Sequence, residues 1–389
     1  MMIVDYSQIK HLVDSNIEIK LSQDWLDTSR LKIKSIATSF IPEVALYAKT
    51  ENDNLSRLGR DKSAGAFASV NLFNGFKDVK QNQLIKIDYE VKNINHKKTY
   101  NELYFMAKSD YWYALKNQEY IKTLREYQSI NKINNGLIVK KVSGGLIPKS
   151  EELNSKKIDF NISEEMVKAR DELSILKSDL RKLFSLSKNE TVEILGSIDH
   201  SKFDLPKVDK KLDLALVKLE EEKSWAENSI SSYWRMPKIN FYIDQSFSEL
   251  KDGEYLDKRD NQARVFGVKL ILPLISEKDN DTIADQVKKS EYDISVLRRK
   301  AQILERENED EKKEISINYL RNSIERSKSK VDLSKEILSK ITAEFKSGIK
   351  EADSLNDAAE KYIEAQRDLL DHQVEYILAI EKMQLNNLD

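Results

Sequence analysis

The chain has 389 residues, of which 33% are charged and 40% hydrophobic, with only 10 Gly and 5 Pro. That balance belongs to long helices with a narrow buried stripe, and it argues against a turn-rich compact enzyme of this size. Lys+Arg (64) and Asp+Glu (66) nearly cancel to a net −2, so nothing pulls the whole chain towards nucleic acid or anionic lipid; with no Cys there is no disulfide or thiolate metal site.

Residues 5–39 read as helix, with Leu12, Ile19, Trp25 or Leu26, Ile33 and Ile36 near helical spacing, and Pro42 ends it. Val44, Leu46 and Ala48 then alternate with Glu43, Tyr47 and Lys49, which is strand periodicity. A polar loop from Glu51 to Gly65 leads to a second strand, Ala66–Phe73, closed by the turn pair Asn74-Gly75. From Phe76 to Val142 the pattern is helical and rich in aromatics, among them Tyr104, Phe105, Tyr111, Trp112 and Tyr113, whose role is helix packing. Ser143-Gly144-Gly145-Leu146 makes a turn, and helix resumes at Ser150–Phe184. Ser185–Asp209, with Gly196 and Pro206, reads as irregular.

The second half repeats the succession. Val208–Tyr233 is helical, and Pro237 opens the strand Lys238–Phe247, as Pro42 opens the first strand. A polar loop, Ser248–Asn261, precedes the strand Ala263–Leu274, with Phe266, Val268, Leu270 and Leu272 on one face. Asp281–Phe345 is helix, and Val287, Ile294 and Ala301, interleaved with Leu297 and Leu304, form a short heptad stripe suited to coiled-coil packing. Ser347-Gly348-Ile349 turns the chain, and Asp353–Asn387 is the last helix. Gly75 and Gly145 lie 70 positions apart, Glu277 and Gly348 71. A helix of that length spans on the order of 100 Å. The fold class is therefore mainly α with a small β part and an internal two-fold repeat, dividing at residues 1–205 and 206–389.

Four short strands cannot close a barrel alone, and their open edges invite pairing with other chains. No stretch approaches the ~20 apolar residues of a membrane-spanning helix. The opening Met1–Tyr6 lacks the basic and apolar regions of a secretion signal. The expectation is either a chain that stays inside the cell or a start at or near a processed or misassigned site.

The order helix, Pro, strand, loop, strand, long helix, glycine turn, helix, given twice, resembles the TolC-type outer-membrane efflux proteins. Ser15-Asn16-Ile17-Glu18-Ile19 is similar to that family's N-terminal Asn-Pro-Glu-Leu, with Ile17 in place of Pro. Leu72-Phe73-Asn74-Gly75 and Leu272-Pro273-Leu274-Ile275 resemble its Pro-Leu-Phe-(Asp/Asn)-Gly strand ending, and Gly145-Leu146-Ile147 and Gly348-Ile349 its hairpin tips. The resemblance spans nearly the whole chain. It implies a homotrimer in which each protomer gives four strands to one transmembrane β-barrel, with the helical hairpins continuing as an α-barrel through the periplasm. On that reading Ile239, Phe241, Ile243, Phe266, Val268 and Leu270 face lipid, as do Leu46 and Val70, while Asn240, Asp244 and Lys269 face the lumen.

The family closes its pore at the tips with a Tyr and an Arg on one hairpin tied to an Asp on the other. Counting from the tip glycines, these positions are Phe345, Lys350 and Glu151. Phe345 has no hydroxyl, but Lys350 and Glu151 could keep a charge pair; Asp353 and Asp357 are the candidates for a carboxylate ring. The bland readings are a pair of solvated charges worth under about 1 kcal/mol, and helix-capping aspartates. Gly144, Gly145, Leu146, Gly348 and Ile349 are turn residues that would also contact a periplasmic adaptor, which joins an inner-membrane transporter. The expected function is a passive exit duct of a tripartite efflux pump, with type I protein secretion or a non-membrane coiled-coil scaffold as alternatives. No enzyme, cofactor, metal or nucleic-acid partner is expected: His11, His96, His200 and His372 are scattered without ligand spacing.

Overall fold

The computed structural model describes residues 2–35, 41–51, 61–205, 212–250, 260–272 and 280–385. The predicted first helix is divided. A short strand β1 (Met2–Val4) comes first, then a 3-10 turn (Tyr6–Gln8), α1 (Ile9–Val13) and α2 (Ile17–Ser35). Short polar side chains make the break. Asn16 Oδ1 accepts from the Glu18 N–H at 2.7 Å, Asn16 Nδ2 donates to the Leu183 carbonyl at 2.7 Å, and Ser15 Oγ donates to the Phe184 carbonyl at 2.9 Å. Such residues compete with the helix ladder and start a new helix instead. Residues 36–39 of the predicted helix lie outside the described residues.

Then follow β2 (Glu43–Glu51), β3 (Asp61–Asn74), α3 (Lys77–Ser143) and α4 (Lys149–Leu183). The region expected to be irregular holds β4 (Val192–Ile194), which pairs in parallel with β1, and a 3-10 turn at His200–Lys202 capped by Asp199. After α5 (Leu212–Ser232) come β5 (Lys238–Leu250), β6 (Asp260–Ile271), α6 (Asn280–Lys346) and α7 (Ala352–Gln384). Helices α3 and α6 are each 67 residues long. β3 starts earlier than the polar sequence indicates, because Asp61–Gly65 are held by backbone pairing to β2 and β5. Pro273 and Leu274, read as strand, lie outside the described residues.

The chain forms two compact units, each drawing on both halves of the sequence. One comprises Met1–Gln23, Asn95–Asp213 and Leu304–Asp389; the other comprises Asp24–Ile94 and Leu214–Ile303. In the first, Val4, Ile9, Leu103, Ala107, Leu180 and Ile377 pack in one buried cluster, with Tyr111 and Trp112 among them. The Tyr6 ring sits 5.4 Å from that of Trp112 and 6.1 Å from that of Phe203. Glu381 of α7 is buried there and accepts from both the Tyr6 hydroxyl and the Lys108 ammonium, while Lys108 lies 4.1 Å from the Tyr104 ring centre. Burial, then the bond to Glu381, pushes the Tyr6 hydroxyl far above its ordinary range.

Removing one partner of a buried pair strands the other charge, at about 3–5 kcal/mol. Glu381→Gln or Lys108→Met should each lower stability by that order in denaturation, and the double substitution Lys108→Met with Glu381→Leu should recover much of it. A double variant as unstable as the singles would contradict the pairing.

Candidate functional site

Two features carry the functional reading: the four-stranded sheet of one unit and the hairpin tips of the other. The sheet is antiparallel with order β2-β3-β5-β6. In its register Ile239 lies opposite Leu270, Phe241 opposite Val268, and Ile243 opposite Phe266, so all six residues share one face. Val70 continues that face opposite Phe241, Ala68 opposite Ile243, Val44 opposite Ala68 and Leu46 opposite Ala66. Leu46 is 85% and Phe266 75% exposed in the single chain. A register shift between Asn71 and Phe73 places Phe73 opposite Ile239. One extra residue flips the parity, so Phe73 joins the apolar face that a regular strand would deny it.

The opposite face is mainly polar and aromatic, with Val265 and Ile271 also on it. Asn240 lies opposite Lys269, and Asp244 accepts from the Tyr47 hydroxyl at 2.9 Å. Phe67 and Tyr242 stack with centroids 6.5 Å apart. A Cβ on Gly267 would come within 2.9 Å of the Tyr242 ring, and one on Gly65 within 2.9 Å of the Tyr47 hydroxyl. These glycines make room for tyrosines lying along the sheet.

The helices of this unit keep the order of the strands. Lys92 lies over Trp25 and Arg30 bonds the Tyr89 hydroxyl, joining α2 to α3. Lys80 over Trp225 at 3.6 Å and Lys223–Asp88 at 3.9 Å join α3 to α5. Lys288–Glu227 at 2.9 Å and Arg299–Glu221 at 3.1 Å join α5 to α6. The outer members are therefore α2 with β2 and α6 with β6. Neither β2 nor β6 has a second neighbour among the described residues. The heptad residues Val287, Ile294, Leu297 and Leu304 are exposed along α6, and Trp25 and Leu31 along α2.

At the tips both long helices end in the same way. Gly145 takes φ +72°, the Leu146 N–H bonds the Lys141 carbonyl and the Gly145 N–H that of Val142; Gly348 takes φ +80°, with Ile349 bonded to Glu344 and Gly348 to Phe345. This is the Schellman end, whose left-handed residue favours glycine. Its apolar follower usually packs back on the helix, yet Leu146 is 75% and Ile349 73% exposed. Gly144 precedes the first of these turns, at the end of α3.

Phe345 is 1% exposed, its ring covered by Lys141 at 4.2 Å. The Lys141 ammonium also donates to the Phe345 carbonyl at 2.6 Å, tying the end of α3 to the end of α6. The expected Lys350–Glu151 pair is not formed: no ion pair within 4 Å joins them among the described residues, and Lys350 lies exposed in the turn before α7. Glu151, in the first turn of α4, faces carboxylates instead. Burial first, then Asp353 and Glu351, push its carboxyl above the ordinary range, opposed by the Asp353 N–H, and its Oε2 is buried without a partner. Asp353 accepts from Asn154 Nδ2 at 3.1 Å, joining α7 to α4, and Asp357 is exposed one turn on. Sequence reasoning missed Lys141 and Asn154. A cation in the last turn of α3, near the free carbonyls of a helix C-terminus, was the available signal for Lys141.

No protein-family profile and no curated protein matches the chain. Solved structures do match it. CusC, a transmembrane channel, aligns with TM-score 0.85 at 12% identity over 98% of this chain and 92% of its own. The outer-membrane channel OprN aligns with TM-score 0.84 at 13% identity, covering 98% and 89%. The Campylobacter jejuni outer-membrane channel CmeC gives 0.83 at 12%, covering 98% and 84%. The chain has the fold of these channels.

Because the docked tip raises the Glu151 carboxyl, it holds that proton more tightly than the undocked chain does. The contribution is therefore complete below the ordinary value of 4.5 and is lost as pH rises through the raised one. Glu151→Gln should leave the melting temperature unchanged at pH 3 and raise it at pH 7. An equal difference at both pH values would show that Glu151 does not sense Asp353 and Glu351.

Proposed function

We propose that the chain is the outer-membrane channel of an export system, an exit duct through which substrates pass without chemistry. The sheet carries this reading. It exposes an apolar face from Ile239 to Ile243 and from Phe266 to Leu270, presents polar groups on the other, and leaves both edges unpaired among the described residues. In water such a face and such edges invite aggregation. In a bilayer only a closed barrel satisfies them, because no water there can bond an open edge. Closure needs further copies, and the two edges differ, so β2 of one copy meets β6 of the next and head-to-tail contacts close into a ring. Three copies give twelve strands, with Ile239, Phe241, Ile243, Phe266, Val268 and Leu270 towards lipid. The exposed heptad stripe of α6 would then pack on the α2 side of the neighbouring copy, continuing the ring below the sheet.

On this reading the protein sits in the bacterial outer membrane, extends into the periplasm, and belongs to a tripartite efflux pump. The structures it matches are outer-membrane channels, which supports the placement. The two halves, 1–205 and 206–389, act as structural repeats, each giving a barrel hairpin and a helical hairpin. The tips face an adaptor protein fed by an inner-membrane transporter, and exposed Leu146 and Ile349 beside Gly145 and Gly348 offer it an apolar contact. Asp353 and Asp357, both exposed at the start of α7, supply a carboxylate ring that favours cations. Glu151, Phe345 and Lys350 lie at the closure, with Lys141 taking the part of the tie.

Outer membranes extracted in detergent should yield a trimer that conducts ions in planar bilayers. A soluble monomer would refute the channel and favour a coiled-coil scaffold. In the conducting trimer, Lys141→Met should raise conductance by freeing α3 from α6, whereas Lys350→Ala should not. Unchanged conductance in Lys141→Met would remove Lys141 from the closure.

A further inference from the structure

A crevice of about 260 Å³ opens between α2, α3 and α5, lined by Ser29, Lys32, Leu84, Ile85, Asp88 and Lys223. Ser29 is 2% exposed and its hydroxyl has no partner. A buried hydroxyl left unsatisfied is costly, so the native state has reason to supply a partner from outside the chain. Two lysines from different helices, Lys32 and Lys223, line the same crevice with one acid, Asp88, and the Lys223–Asp88 pair is long, at 3.9 Å. Leu84 and Ile85 supply apolar wall. The volume exceeds what one water needs.

We propose that this crevice binds a phosphate group carrying one proton, as hydrogen phosphate or a phosphomonoester. Three donors meet its oxygens: the Ser29 hydroxyl and the Lys32 and Lys223 ammonium groups. Asp88, which would repel a fully ionised anion, instead accepts from the phosphate hydroxyl. That carboxylate makes the site selective: sulfate has the same shape but no proton to give at neutral pH. The inference stands apart from the channel reading, because none of its residues lies in the sheet or at the hairpin tips.

Equilibrium dialysis of the full detergent-solubilised chain with radiolabelled inorganic phosphate tests it. One saturable site per chain is expected, resistant to a tenfold excess of sulfate. Ser29→Ala and Lys223→Met should each weaken binding about tenfold, the loss of one hydrogen bond to a charged group, with helical circular dichroism unchanged. Asp88→Asn should admit sulfate. Vesicles containing phosphatidic acid, a monoester, compete if the source is a lipid headgroup; vesicles of phosphatidylglycerol, a diester, do not. Competition by neither leaves the free ion as ligand. Absence of saturable binding, equal displacement by sulfate, or unaltered affinity in both Ser29→Ala and Lys223→Met would overturn the site. Conductance of the same preparation reports separately on the channel.

Discussion

A strand at the edge of a sheet carries a row of N–H and C=O groups with nothing to bond, and among the described residues there are two such strands, β2 and β6. The face between them is apolar and open, from Val44 and Leu46 across to Val268 and Leu270. Neither problem has a solution within one chain: four strands are too few to close, and no other element covers the face among the described residues. The helices behave consistently with that constraint. Their order α2, α3, α5, α6 follows that of the strands, so the open edge of the sheet continues into helices that keep apolar side chains uncovered.

The tips show how the side chain at one position sets the physics of a contact. At position 345 a phenylalanine offers a ring face and a backbone carbonyl, and Lys141 uses both. An ammonium over a ring, bonded to a carbonyl at a helix C-terminus, is favoured by the ring quadrupole and by the helix dipole together. It needs no carboxylate partner. That leaves Glu151 to lie against Asp353 and Glu351, where partial burial, then the like charges, push its carboxyl above the ordinary range. The tips share a buried apolar cluster that includes Ile138, Leu338, Phe345 and Leu355; Lys141 adds a cation at the ends of α3 and α6, while Glu151 at the start of α4 lies against the carboxylates of Asp353 and Glu351.

The buried Lys108–Glu381 pair does a different job from the many exposed ion pairs of the long helices. Surface pairs such as Lys168–Glu164 contribute little. Lys108 and Glu381 are out of water, and the Tyr6 hydroxyl adds a further bond to the same carboxylate. This joins the N-terminal segment, α3 and α7, elements far apart in sequence, and specifies one arrangement of helices that apolar stripes alone would leave free to slide.

Much of the fold was legible from residue order. Period-two alternation marked the four strands, heptad and helical spacing marked the long helices, and Gly145 and Gly348 marked the turns, because each of these is a local property of a short window. The six apolar residues of β5 and β6 fell on one face because a strand's parity is fixed by its backbone. What the sequence could not disclose depends on distant partners. β1 and β4 are three residues each and exist only because they find one another across some 190 positions. The break at Asp14–Asn16 becomes stable when Asn16 and Ser15 reach the carbonyls at the end of α4. Phe73 changes face through one bulged residue. Lys141 looked like any basic residue near a helix end until α6 came beside it, and Glu151 looked like the partner of Lys350 until Asp353 proved nearer in space. Periodicity determined which elements form and which face of each is apolar; only tertiary packing decided which charges meet, because a charge pair is set by a distance that no spacing along the chain records.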